Sequence, residues 1–195
     1  MRDYTHVIAV CFVEKMDEYR RYSEAERIII TYGLEVFFNN FIKLIIYLII
    51  GFICNILPET VIAVVTLAVL RILSGGYHSQ SDLGCLILTG CMIFSPIILS
   101  KYLFITNEHF ATILFGTAFV YFLYVPQDEK YLEASREELL NIKISVILVV
   151  FGVCLSGLFI SNQLGIIIMF VALVQGLSLI GGKAYEGKTK RNERN

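Results

Sequence analysis

The chain has 195 residues, a length that suits one domain. It is 56% hydrophobic and only 17% charged, with a mean hydropathy of +0.70, which excludes an ordinary soluble domain because too little polar surface exists to cover a fold of this size. The net charge of −1 gives no bulk attraction to nucleic acid, and no nucleic-acid partner is expected.

The N-terminal stretch MRDYTHVIAVCFVEKMDEYRRYSEAER has an uninterrupted apolar run only from His6 to Val13, too short and too soon followed by charge for a cleavable signal peptide. Ser23 followed by Glu26 has the spacing of a capping box and predicts a helix start. The following RIIITYGLEVFF, like the earlier HVIAVCFVEKM, reads as an amphipathic helix lying apolar side down on the inner leaflet. Residues 1–35 are therefore expected to form a surface anchor, with a docking face for an amphipathic peptide as the alternative.

Six apolar segments follow, at roughly 36–57, 60–73, 86–103, 110–125, 144–160 and 164–181. A hydrocarbon core about 30 Å thick needs about 20 helical residues. The second segment, TVIAVVTLAVLRIL, is shorter than that before Ser74, Gly75 and Gly76, so it either continues into polar residues or stops short inside the bilayer. The predicted fold class is all-α: a polytopic membrane protein with about six transmembrane or re-entrant helices, preceded by amphipathic helices. The membrane domain is expected over 36–182, and 183–195 reads as a basic, mobile tail.

Orientation follows from lysine and arginine. Five precede the first segment (Arg2, Lys15, Arg20, Arg21, Arg27) and five follow the sixth (Lys183, Lys188, Lys190, Arg191, Arg194). Arg71 lies between segments two and three, and Lys130, Arg136 and Lys143 between four and five. The opposite side has Lys101 alone, while Lys43 lies inside the first segment. Both termini and the Arg71–Cys85 stretch are thus expected in the cytoplasm.

That stretch, RILSGGYHSQSDLGC, holds the chemistry. His78 and Cys85 are seven residues apart, about 10 Å along an unbroken helix, too far for a thiol–imidazole hydrogen bond. Ser79, Ser81, Asp82 and Gly84 favour a turn or cap between them. With Asp82 or Ser81 capping the third segment's helix, Cys85 falls in its first turn, where free N–H groups and the helix dipole favour a thiolate. His78 would then act as base. Gly75 and Gly76 would let the backbone approach a substrate and present N–H groups to an oxyanion. Arg71 could hold a carboxylate or a lipid phosphate. Ser74 and Gln80 complete the candidate substrate-binding residues, with Gln80, Ser79 or Asp82 able to orient the imidazole.

Cys11, Cys54, Cys91 and Cys154 read as structural, as do His6 and His109. No cysteine pair has zinc-site or disulfide spacing, so neither a metal nor a cofactor is expected. The loop at 125–143 is a charged connector in which Asp128, Glu129, Glu133, Glu137 and Glu138 outweigh the bases.

SGGYHSQSDLGC with Arg71 before it, the six segments and the upstream YGLEVFFNNFIKLI together make the chain resemble the accessory gene regulator protein B (AgrB) family. The most specific piece is Gly-Gly-x-His with a cysteine seven residues after the histidine. The resemblance implies a bacterial cytoplasmic-membrane cysteine endopeptidase that removes the C-terminal segment of an amphipathic signal-peptide precursor for quorum sensing and promotes closure to a thiolactone. Carried over, Cys85 would be the nucleophile and His78 the general base, with a homodimer compatible with the family. The acidic loop after segment four departs from the family pattern, leaving the N-terminal arginines or tail lysines as equal candidates to grip an acidic peptide end. Two other classes stay open: a membrane lipid phosphatase using His78, suggested by the Arg71, His78 and Asp82 spacing, and a non-enzymatic transporter or scaffold built around Asn39, Asn40 and Lys43.

Overall fold

The computed structural model describes residues 2–19, 21–75, 82–103, 107–125, 135–160 and 162–192. Within them are seven helices: α1 (Arg2–Asp17), α2 (Glu24–Ile53), α3 (Leu57–Ser74), α4 (Asp82–Tyr102), α5 (Asn107–Tyr124), α6 (Arg136–Ile160) and α7 (Asn162–Asn192). No strand occurs among the described residues, so the all-α expectation holds, and the six apolar segments correspond to α2 to α7, the first ending with α2 at Ile53 rather than at 57.

Five helices are long and apolar enough to cross a membrane, and α5 contributes a shorter apolar stretch, His109–Tyr124. Large apolar side chains face outward along them, among them Phe37, Phe52, Ile53, Phe115, Phe119 and Leu148. In water such a surface would be an aggregation hazard; in lipid it is the solvated face. The chain is a multi-pass membrane protein.

α7 is the central post. It packs on α3, α4, α5 and α6, and 56% of its membrane-length stretch Gln163–Gly181 is buried against 17% for that of α2. One apolar cluster joins Leu70 of α3 to Tyr121, Val150 and Met169 of α5, α6 and α7. A second joins Tyr47, Leu67 and Ile93 of α2, α3 and α4 to Ile167 and Val171 of α7. Both use α3 and α7, so those two helices tie the halves together.

Ser23 caps α2 with both arms of the capping box: its hydroxyl accepts from the Glu26 N–H, and the Glu26 carboxylate accepts from the Ser23 N–H. α2 then runs unbroken through residues 35 and 36, where the surface anchor and first membrane segment were expected to meet. The reason is local. That stretch has no proline, and a lone glycine such as Gly33 costs a helix only about 1 kcal/mol. α1 folds back along the first half of α2, held by the ion pair of Asp17 with Arg27, the hydrogen bond of His6 with Glu35 and Phe12 against Phe38.

α2 ends in a Schellman turn. Asn55 takes φ 55°, the Ile56 N–H donates to Gly51 O at 2.9 Å and the Asn55 N–H to Phe52 O at 3.1 Å. Thr60 of α3 sits so close that a Cβ on Gly51 would fall 2.5 Å from its Oγ1, so only glycine permits this hairpin.

The second segment, expected either to continue into polar residues or to stop short inside the bilayer, ends at Ser74 and gains its length at its start: α3 spans 18 residues, ~27 Å. The stretch after Gly182, expected to be mobile, is helical to Asn192. Its Ala, Lys, Glu and Arg residues favour helix and no proline interrupts it.

Candidate active site

The site begins where α3 ends. Ser74 is buried against α7, and its hydroxyl donates to Leu70 O at 2.8 Å. Gln175, a fully buried amide on α7, donates to Ser74 Oγ at 3.2 Å and to Gly75 O at 2.7 Å. Gly75 itself has φ 73° and ψ −149°, a conformation open in practice only to glycine. Its N–H donates to Arg71 O at 3.0 Å and closes the last turn of α3. Gly75 thus turns the chain out of the helix, with both backbone groups committed to the fold rather than facing an oxyanion. Ser74 likewise spends its hydroxyl on packing α3 to α7, away from the substrate-binding place considered for it.

The next helix starts at Asp82, where Asn39 of α2 donates to the carboxylate at 3.2 Å. α3 ends at Ser74, most of the stretch in which a break was expected between His78 and Cys85 lies outside the described residues, and Cys85 stands in the first turn of α4. One turn on, Tyr47 of α2 donates to Leu86 O at 2.8 Å, pinning the start of α4 to the C-terminal third of α2.

Between α2, α3 and α4 lies a cavity of about 550 Å³. Cys85 and Thr89 reach it from α4, Arg71 from α3, and Asn40, Lys43 and Tyr47 from α2, with Phe41, Leu67 and Ile93 among its apolar walls. The spacing explains the lining: Asn40, Lys43 and Tyr47 are three and four apart, and so share one face of α2, as Cys85 and Thr89 share one face of α4. The Cys85 thiol is free and half-buried, and Arg71 is near enough to interact with it electrostatically.

Of the sequence candidates, the structure brings Cys85 and Arg71 together, with Gly75 and Ser74 forming the hinge beside them. His78, Gly76 and Gln80 lie outside the described residues. The remaining cysteines are apart from the cavity: Cys11, Cys54 and Cys91 are exposed and Cys154 is buried in the α5–α6–α7 core. Sequence reasoning did not place Tyr47, Thr89 or Gln175 at the site, and it assigned Asn40 and Lys43 only to a transporter. A lone amide in the apolar run VALVQGLSLI was the signal for Gln175, and a lysine flanked by apolar turns was the signal for Lys43.

The profile of accessory gene regulator B matches residues 9–179, which take in this cavity and all the helices that build it. An AgrB-like protein of Clostridium perfringens strain SM101 is 32% identical over 124 residues, covering 60% of this chain and 58% of that protein. Another, from C. perfringens strain 13, is 30% identical over 130 residues, covering 63% and 61%. A third, from Clostridium acetobutylicum, is 25% identical over 114 residues, covering 58% and 54%. The chain thus spans less than two thirds of the length of these relatives, whose names go no further than AgrB-like. No solved structure matches it. With the match running from α1 to the core of α7 and through the Arg71–Cys85 break, the chain belongs to the accessory gene regulator B family.

Proposed function

We propose that the protein is a membrane cysteine endopeptidase that processes the precursor of a quorum-sensing peptide. The observation that carries this reading is Cys85 in the first turn of α4, opening on a cavity of about 550 Å³ that also holds Arg71. A first-turn cysteine meets the positive end of the helix dipole, and an arginine in the same space balances the charge of an attacking sulfur. Family membership supports the choice of a peptide over a lipid or transported solute.

In the proposed mechanism His78, from the sequence between Gly75 and Asp82, is the general base. Cys85 thiolate attacks the scissile carbonyl, and the tetrahedral oxyanion collapses with release of the C-terminal fragment, its amine taking the proton held by His78. The precursor's N-terminal part is left as a thioester on Cys85. A cysteine thiol within that part, losing its proton to His78, attacks the thioester carbonyl. The Cys85 sulfur departs as thiolate and the peptide closes to a thiolactone. Apolar walls that hold water away favour this internal capture over hydrolysis.

The distribution of lysine and arginine supports a cytoplasmic-membrane orientation with both termini and the site inside. The division into an N-terminal surface region, a membrane domain and a basic tail belongs to this proposal. So do the amphipathic precursor as partner and self-association as a homodimer.

The test is co-expression with a matched precursor, comparing the intact chain with Cys85→Ser and His78→Ala by mass spectrometry. The expected result is cleavage and a precursor adduct on Cys85 in the intact chain, with both variants inactive. Cleavage by Cys85→Ser at the rate of the intact chain would remove Cys85 as nucleophile and end this reading.

A further inference from the structure

Lys43 has no part in the steps above. Among the described residues it is the only buried side chain that carries a charge, at 6% exposure. It stands ten residues before the end of α2 at Ile53, about 15 Å along the axis, within a helix long and apolar enough to cross a membrane. An ammonium there is costly unless it meets water, a counter-charge or a ligand. It lines the same cavity as Cys85 and Arg71, and the described residues lining that cavity include no acid. Asn40, one turn earlier on the same face of α2, adds a neutral polar group.

A buried ammonium in an apolar-walled space, with a nucleophile in the same lining, fits a carboxylate brought in by whatever reacts with Cys85. We propose that Lys43 is a carboxylate receptor that holds an acidic residue of the peptide substrate in the cavity of Cys85. The identity of the partner rests on the peptidase reading; the receptor itself does not. A lipid phosphate has similar chemistry, but headgroups lie at the bilayer surface, whereas Lys43 is buried within an apolar helix. Lys43 is a substrate-binding residue in this scheme.

The receptor can be read without any peptide, by alkylating Cys85 of the full chain in phosphatidylcholine vesicles with anionic iodoacetate or neutral iodoacetamide. Mass spectrometry locates the adduct on Cys85. The ratio of the iodoacetate to the iodoacetamide rate in the intact chain should exceed that in Lys43→Gln about tenfold, the size of one nearby charge in a partly desolvated cavity. Lys43→Arg should keep the ratio. Asn40→Asp, which retains Lys43 but supplies a counter-charge, should lower it, and decides the matter if Lys43→Gln does not fold. An unchanged ratio in the folded variants would overturn the receptor whether or not the chain is a peptidase. Loss of the iodoacetate preference in the intact chain on adding phosphatidylglycerol to the vesicles would mean that lipid phosphate fills the site, and would overturn the peptide assignment.

The partner is then tested with precursors in which single Asp or Glu residues of the departing segment are changed to Asn or Gln. One such change should raise KM for the intact chain but not for Lys43→Gln, because the two substitutions remove the same contact. Strictly additive effects at every position would overturn the peptide carboxylate as the ligand. Absence of all processing would fail the peptidase reading and leave the alkylation result to decide the receptor.

Discussion

Gln175 lies on a different helix from every residue of the cavity, yet the geometry makes the end of α3 depend on it. Its amide gives one hydrogen to Gly75 O at 2.7 Å and one to Ser74 Oγ at 3.2 Å, and Gln175 is fully buried. Gln175→Leu nearly preserves volume but removes both donors. Gly75 O then retains only the Ser74 hydroxyl at 3.2 Å, a bond in competition with the better one to Leu70 O at 2.8 Å. Leaving a part-buried acceptor so poorly met costs about 1–2 kcal/mol. Gln175→Glu is worse, since an acceptor now faces the Gly75 carbonyl and a charge enters the bundle core. Ser74→Ala is milder, because the 2.7 Å bond to Gly75 survives; it should cost about 1 kcal/mol. The expected order of destabilisation is therefore Gln175→Glu, then Gln175→Leu, then Ser74→Ala. Hydrogen exchange of the peptide covering residues 70–75, measured in detergent micelles, reads this directly through the Gly75 N–H bonded to Arg71 O. Gln175→Leu should speed its exchange about 5–30-fold, the equivalent of one or two kcal/mol of local stability. Exchange no faster than in Ser74→Ala would show that Gln175 does not hold the break, and the reasoning would fail.

Gly51→Ala should destabilise the α2–α3 hairpin by about 1–3 kcal/mol through overpacking, since its Cβ would fall 2.5 Å from Thr60 Oγ1 and 2.9 Å from Thr60 Cβ. Thr60→Ala should recover part of that loss in thermal denaturation, and a Gly51→Ala midpoint equal to the parent would contradict the close approach. The α1–α2 turn should loosen in acid. The Tyr22 N–H at 2.8 Å, with help from Arg27, holds the Asp17 carboxyl below its ordinary value against a smaller opposing effect of burial. A lowered folded-state pKa means that the contribution is complete above the ordinary aspartate range and disappears as pH falls through the lowered value. Limited proteolysis between α1 and α2 should therefore accelerate at acid pH, and Asp17→Asn should remove that dependence. Orientation is open to thiol labelling, because Cys11 and Cys54 are both exposed. A membrane-impermeant maleimide applied to intact cells should label Cys54 and spare Cys11, and the reverse pattern would invert the proposed topology.

How far the sequence could carry the site shows in three residues. Cys85 was legible because a thiol just after a run of turn-forming residues, with an apolar segment beyond it, falls at a helix start however the helices pack. Lys43 was visible as a charge in the wrong solvent, but which residues it would meet depends on how α2 rotates against α3 and α4. Gln175 could only be noticed, not assigned, since its partners lie 100 and 101 residues away. Ser74 and Gly75 teach the complementary lesson: near His78 and Cys85 in sequence, both looked like substrate-binding groups, but their hydrogen bonds are spent on ending α3.

The sequence by itself determined that the chain is helical and lives in lipid, because apolar run length and charge placement act locally and the bilayer leaves the backbone little choice. It also determined the capped start of α2, which depends on neighbouring residues alone. Only the tertiary structure decided that α7 is the post around which the others pack, that α2 continues without a break into its membrane stretch, and that Lys43, Arg71 and Cys85 share one cavity. Those outcomes depend on which face of each helix meets which neighbour, and among helices apolar on nearly every side, hydrophobic periodicity does not specify it. The fit of side chains across the interfaces does.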